Sequence, residues 1–284
     1  MAISFSSTVL NRTTLLKNTI QNNSTDFFLT FIPKTKHTRS SNNTNDRFLI
    51  LDSSFNPPTK AHSSLLLHTL ASYPPNFFNA SMLLFSTNNA DKHLTGASIL
   101  QRAQMMEILA RQWDEEAIPV YVGLTTQARF IDKLTVIKTW YQQQQLQKQN
   151  HDYGDVNVDK EQLELYFILG YDTITRFMDA KYYSPLKVED ALAPFFSTCY
   201  LVCVDRPGFN EKEEKDNEKS FWSLPQVQYY MHRIRQVPTL DGSISSISST
   251  LARKLITEQN YLKLNEVLDL DIIQFILQEK IYQP

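Results

Sequence analysis

Two short stretches, far apart in the chain, gather hydroxyl, imidazole and guanidinium groups at points where helices should begin. The first is "DSSFNPPTKAH", residues 52–62. It follows an apolar run at 48–51 that reads as a buried strand, and it leads into a helix starting near Ala61 or His62. The free backbone N–H groups of a helix start make an anion site. Ser54, Thr59 and His62 surround this one, and Pro57 and Pro58 stiffen the loop. His62 in the first turn can give a phosphate a charge-assisted hydrogen bond. The loop holds no glycine, so neither GxxxxGK[ST] nor GxGxxG is present. Taken alone, a histidine at a helix start is more often structural.

The second stretch is "ISSTLARKL", residues 247–255. Ser248, Ser249 or Thr250 can cap a helix there, with Arg253 expected in its first turn. An arginine is slightly unfavourable at the positive end of a helix unless an anion offsets it. Hydroxyls, N–H groups and a guanidinium in one turn suit a polyphosphate. By itself, Ser or Thr before a helix is ordinary capping.

These stretches need a scaffold, and the hydrophobic pattern supplies one. Strand-like apolar runs recur at 48–51, 82–85, 120–124, 165–169 and 200–204, with a short final strand at 233–237. Between them lie segments of helical spacing, such as Ile99, Ala103, Met106, Ala110 and Trp113. The alternation predicts an α/β fold with a doubly wound, mainly parallel sheet, which binds ligands at the carboxyl ends of its strands. Residues 47–284 read as one domain with a closing amphipathic helix at 267–281 and polar insertions near 142–159 and 210–220. Residues 1–46 are rich in Ser, Thr and Asn and poor in acids. That composition is compatible with a mitochondrial presequence, but the reading adopted is a flexible extension with a short helix near 9–20.

The formal net charge of −2 over 284 residues argues against a nucleic-acid or anionic-membrane surface built on bulk charge. No apolar run approaches the roughly 20 residues that span a bilayer. Cys199 and Cys203 fall on one face of a strand, about 13 Å apart, too far to bridge. They read as reduced core thiols of a cytosolic or nuclear protein.

Together, "SFNPPTKAH" and "ISSTLAR" resemble the paired signatures of the nucleotidylyltransferase superfamily, (H/T)xGH and ISSTxxR. The nearest likeness is to the nicotinamide mononucleotide adenylyltransferases, especially their divergent fungal branch. It extends over residues 48–282 through "NNADKHL", which carries Lys92, then "QRAQMMEIL", "FILGYDTITRFMDAKYY" with Gly170 and Asp172, and "LVCVDRPG" with Arg206.

The resemblance implies a Rossmann-like fold and transfer of AMP from ATP to nicotinamide mononucleotide, giving NAD and pyrophosphate. Mg²⁺ would ride mainly on the ATP phosphates. The attacking group is already a phosphate oxygen, so catalysis would be positioning and charge stabilisation. His62, Arg253 and Lys92 would carry the catalytic role. Ser54, Phe55, Gly170, Asp172, Ser249 and Thr250 would join His62 and Arg253 in holding ATP. Ser53, Lys92, Phe130, Tyr183 and Arg206 would contact the mononucleotide. Three positions depart from the family pattern: Ser53 and Ala61 stand where glycine is usual, and Phe130 where a stacking tryptophan is usual. Two alternatives remain open on the sequence: a nucleotide-binding relative with weak ATPase activity, and a non-catalytic regulatory or sensor protein on the same fold.

Overall fold

The computed structural model describes residues 26–34, 45–88, 95–116, 118–149, 162–204, 221–238, 244 and 246–283. Seven strands form a single sheet: β1 (Phe27–Phe31), β2 (Asn45–Asp52), β3 (Ala80–Ser86), β4 (Val120–Thr125), β5 (Gln162–Gly170), β6 (Cys199–Val204) and β7 (Ile234–Val237). Their order is β1-β4-β3-β2-β5-β6-β7. All neighbours pair in parallel except β1, which runs antiparallel to β4. The chain therefore winds outward from β2 through β3 to β4, returns, and winds the other way from β5 to β7. The reversal falls between β2 and β5, and a sheet of this kind opens its ligand crevice at the carboxyl ends of those two strands.

Burial on both faces explains the strand sequences. In β2, Leu49 and Leu51 enter one apolar cluster and Phe48 and Ile50 the other. The first face is covered by α1 (Lys60–Ala71), α2 (Ile99–Glu115), α7 (Ser249–Thr257), α8 (Tyr261–Val267) and α9 (Leu270–Gln278). The second is covered by α3 (Phe130–Gln149), α4 (Tyr171–Phe177), α5 (Val188–Phe196) and α6 (Pro225–Tyr229). Ala103, Met106, Ala110 and Trp113 all point into the first cluster, as their spacing requires. Cys199 and Cys203 are buried thiols, not joined in a disulfide, and lie together in the second.

Three details differ from the sequence expectation. Within residues 1–46, "FFLTF" is not a loose extension: it forms β1, which buries Phe27 and Phe31 and closes the β4 edge of the sheet. The glutamine-rich start of the expected insertion at 142–159 continues α3 to Gln149, in keeping with the good helix propensity of glutamine. The closing helix expected at 267–281 is α9, shorter at both ends, because its N-cap residue Asp269 takes an extended conformation (φ −71°, ψ 148°) that separates it from α8. The expected helix near 9–20, the 210–220 insertion, Lys92 and Arg206 lie outside the described residues. Among the described residues, no helix is long and apolar enough to cross a membrane.

Candidate active site

At the carboxyl end of β2 the chain turns from Asp52 into the loop that feeds α1. Thr59 is the N-cap of α1 and His62 its third residue, and the two form a reciprocal capping box. The Thr59 backbone N–H donates to His62 Nδ1 at 3.0 Å, and Thr59 Oγ1 lies 2.9 Å from the same nitrogen. A backbone N–H can only donate, so Nδ1 is the acceptor and the ring proton sits on Nε2. Nε2 in turn lies 3.0 Å from Ser53 Oγ, to which it donates. His62 is thus a neutral donor with a fixed tautomer, and Ser53 receives its hydrogen.

Phe55 anchors the middle of this loop. It is fully buried, its ring centroid is 5.1 Å from that of His62, and its φ is +43°. A bulky residue in the left-handed region costs about 1–3 kcal/mol, which burial of the ring must offset. Ser54, just before it, is exposed at the mouth of the crevice.

The second motif arrives from the other end of the chain and meets the first. Ser248 is the N-cap of α7, its Oγ accepting from Leu251 N at 3.1 Å. Ser249 Oγ donates to the Pro57 carbonyl at 2.7 Å. Arg253 reaches back one turn: Nη1 donates to the Asn56 carbonyl at 2.6 Å and Nη2 to Thr250 Oγ1 at 3.1 Å. Thr250 is exposed. The starts of α1 and α7 therefore share one turn, with His62 on one side and Arg253 on the other.

Several residues that hold this turn gave no signal in the sequence. Asn56 is buried; its Nδ2 donates to Thr95 O at 2.8 Å, and its Oδ1 accepts from Ala97 N at 3.1 Å and Tyr282 Oη at 2.7 Å. Arg102 is 2% exposed and donates to three carbonyls, those of Ala97, Ser54 and Thr95. Burial lowers its pKa, and the neighbouring Arg253 adds to that. Beneath the loop, Lys133 and Asp52 form a buried ion pair. Arg102 and Ser54 are 48 positions apart and Lys133 and Asp52 are 81 apart, so no local pattern could announce these pairs.

Across the switch point, β5 ends at Gly170 and α4 follows. A Cβ at Gly170 would meet nothing within 4 Å, so the space above it is open. Asp172 is exposed in the first turn of α4. Phe130 opens α3 and is half-buried, its ring edge-on to Phe167 at 5.4 Å and to Phe177 at 5.6 Å, with Lys133 Nζ 4.9 Å from its centroid. Tyr183 Oη donates to the Phe177 carbonyl at 2.6 Å. Burial pushes the Tyr183 hydroxyl up to about 12, so it stays a neutral donor. Phe130 and Tyr183 thus converge on Phe177, while Ser249 and Arg253 converge on the turn at 56–57.

A mainly parallel sheet of this order, with two helix starts meeting beyond the end of β2, is a Rossmann-like fold of the kind nucleotidylyltransferases have. In fold and sequence the chain resembles that superfamily. It is similar to a Schizosaccharomyces pombe protein provisionally named nicotinamide mononucleotide adenylyltransferase, with 28% identity over 240 residues, 83% of this chain and 84% of that one. Two solved structures of Plasmodium falciparum nicotinic acid mononucleotide adenylyltransferase share its fold. The complex with NaAD has a TM-score of 0.50 and the complex with APC 0.52; each is 18% identical and covers 84% of this chain and 98% of that one. No family model matches the chain.

Proposed function

We propose that this protein is a pyridine mononucleotide adenylyltransferase of NAD synthesis, and that its preferred acceptor is nicotinamide mononucleotide. The observation that carries the proposal is the contact of the two motifs: Arg253 and Ser249 bond to the carbonyls of Asn56 and Pro57, directly beside His62. One turn of chain thereby presents two helix starts, a neutral imidazole donor and a guanidinium to the same anion.

The acceptor's 5′-phosphate oxygen forms a bond to the α-phosphorus of ATP. The bond from that phosphorus to the bridging oxygen breaks, and pyrophosphate leaves with the electron pair. No group of the protein needs to take a proton from the nucleophile. Its work is to align the two phosphates and to meet the charge that gathers on the leaving group. His62, donating through Nε2 to Ser53 or directly to an oxygen, and Arg253 with Thr250 are placed for this. Lys92 and Arg206, which lie outside the described residues, enter the assignment as cations for the mononucleotide, and Asp172 as acceptor for a ribose hydroxyl. Mg²⁺ enters as part of the substrate, carried on the triphosphate. Its ligands in this assignment are mainly phosphate oxygens and water.

The preference for the amide rests on the charges near Phe130. Arg129 is bound to Asp132 at 2.7 Å, and Lys133 to Asp52. The cation beside the ring, Lys133, is therefore neutralised in a buried pair, and a nicotinate carboxylate would not find it available. The name of the S. pombe relative agrees with the amide. Initial rates with nicotinamide and nicotinate mononucleotides, each at saturating Mg–ATP, test this. The proposal expects dinucleotide from both or from the amide alone, with the larger kcat/KM for the amide. A larger kcat/KM for the acid would reverse the acceptor, and no dinucleotide from either would remove the function.

A further inference from the structure

A second cavity lies at the opposite end of the sheet from the phosphate crevice. It measures about 200 Å³ and is lined by Tyr73, Phe77, Tyr166 and Tyr200 together with Arg233 and Arg235. Tyr166 stands four residues before the end of β5, and Tyr200 and Ile234 stand at or near the starts of β6 and β7. That places the cavity at the amino ends of these strands, roughly 13 Å or more from the switch-point crevice.

Its walls are aromatic. Tyr166 and Tyr200 stack at 4.5 Å with an interplanar angle of 5°, and Tyr73, Phe77 and Tyr166 meet edge-on or tilted at 4.7–6.0 Å. Its charge is positive. Arg233 lies 4.5 Å over the Tyr200 ring, Arg235 4.0 Å over Tyr73, and Arg47 4.4 Å over Phe77. Arg47 is neutralised by Glu164, which it meets at 2.7 Å. Arg233 and Arg235 have no carboxylate partner among the described residues. Arg235 spends one donor on the Ser72 carbonyl, whereas the Arg233 guanidinium keeps its fork of N–H groups for a further acceptor.

A guanidinium held flat on a tyrosine keeps its edge free for two parallel bonds to a carboxylate. A cavity of about 150 Å³ already accepts a benzene ring. We propose that this cavity is a ligand site for a small planar aromatic carboxylate, one ring in size. The ring packs among Tyr73, Phe77, Tyr166 and Tyr200, and the carboxylate pairs with Arg233, with Arg235 contributing charge at the mouth. The site is independent of the adenylyl-transfer crevice, since none of its lining residues contacts the turn at 56–57 or the start of α7.

The test uses benzoate, cyclohexanecarboxylate and inorganic phosphate, each titrated calorimetrically into the full-length protein with and without saturating Mg–ATP. The proposal expects saturable benzoate binding, about three- to tenfold tighter than cyclohexanecarboxylate or phosphate and unaffected by Mg–ATP. Arg233→Met weakens it by about tenfold or more, and Arg233→Lys recovers part of the loss. Thermal melting verifies that each variant folds; if neither does, the wild-type comparisons decide alone. Benzoate bound no better than cyclohexanecarboxylate, binding unchanged in Arg233→Met, or displacement of benzoate by Mg–ATP each overturns the assignment.

Discussion

Ser53 Oγ lies 3.0 Å from His62 Nε2, so a hydroxyl occupies the second ring nitrogen of the motif histidine. Nδ1 is already committed to Thr59. The hydroxyl can pass the hydrogen bond onward to a phosphate oxygen, or yield when the phosphate arrives and takes the Nε2 hydrogen directly. In either case the imidazole is required and the hydroxyl is not. His62→Ala should lower kcat by about 10²–10³ at an unchanged fold, whereas Ser53→Gly should stay within about tenfold of wild type. Initial rates with thermal melts measure both. Unchanged turnover in His62→Ala with a lowered melting temperature would make the histidine a capping residue only.

In the proposed assignment Arg253 has two duties, a contact to the triphosphate and the bond that its guanidinium makes to the Asn56 carbonyl. Arg253→Ala should raise the KM for ATP well above any rise for the mononucleotide. It should also cost about 1–3 kcal/mol of stability, because a part-buried carbonyl loses its donor. Steady-state kinetics in both substrates and chemical denaturation separate the two effects. An equal rise in both KM values contradicts a role confined to the triphosphate.

The Asp52–Lys133 pair is 9% and 5% exposed at its side chains, so each charge relies on the other rather than on water. Lys133→Ala should destabilise by about 3–5 kcal/mol, and replacing both partners by apolar residues, as in Asp52→Leu with Lys133→Met, should recover much of that. Denaturant titration of the three proteins is the measurement. Single and double losses that simply add would mean that the pair is not coupled.

Phe130 presents its edges to Phe167 and Phe177, which makes it part of the second apolar cluster as well as a wall of the proposed acceptor pocket. Phe130→Ala should weaken mononucleotide binding by about tenfold with little change for ATP, and should also lower the melting temperature. Phe130→Trp should hold or improve mononucleotide affinity if the pocket has room. Separate titrations with each ligand decide. Equal weakening for both places Phe130 in the core alone.

The parts of this structure that were legible in the sequence are those written in local pattern. Apolar runs located β2 to β7, helical spacing located α2, and the hydroxyl-rich starts of α1 and α7 were visible because capping is a matter of a few neighbouring residues. Arg253 was placed in the first turn of its helix, but it falls one turn later, where it can reach Asn56. β1 was missed because five residues in a polar segment look like a tail until β4 is there to pair with them. The pairing of His62 with Ser53, of Arg102 with the Ser54 carbonyl and of Tyr282 with Asn56 depends on tertiary packing, and no spacing in the chain encodes it. Arg102 left one trace: a cation on the apolar stripe of α2, one residue before Ala103 and four before Met106.

The account stands most directly on where the purified protein cuts ATP. Incubated with Mg–ATP and nicotinamide mononucleotide, it should release pyrophosphate and form NAD one for one, and His62→Ala at equal concentration should do so at least about a hundredfold more slowly. Orthophosphate released without dinucleotide, from either mononucleotide, would mean that the two helix starts bind a triphosphate without transferring AMP, and would contradict the assignment.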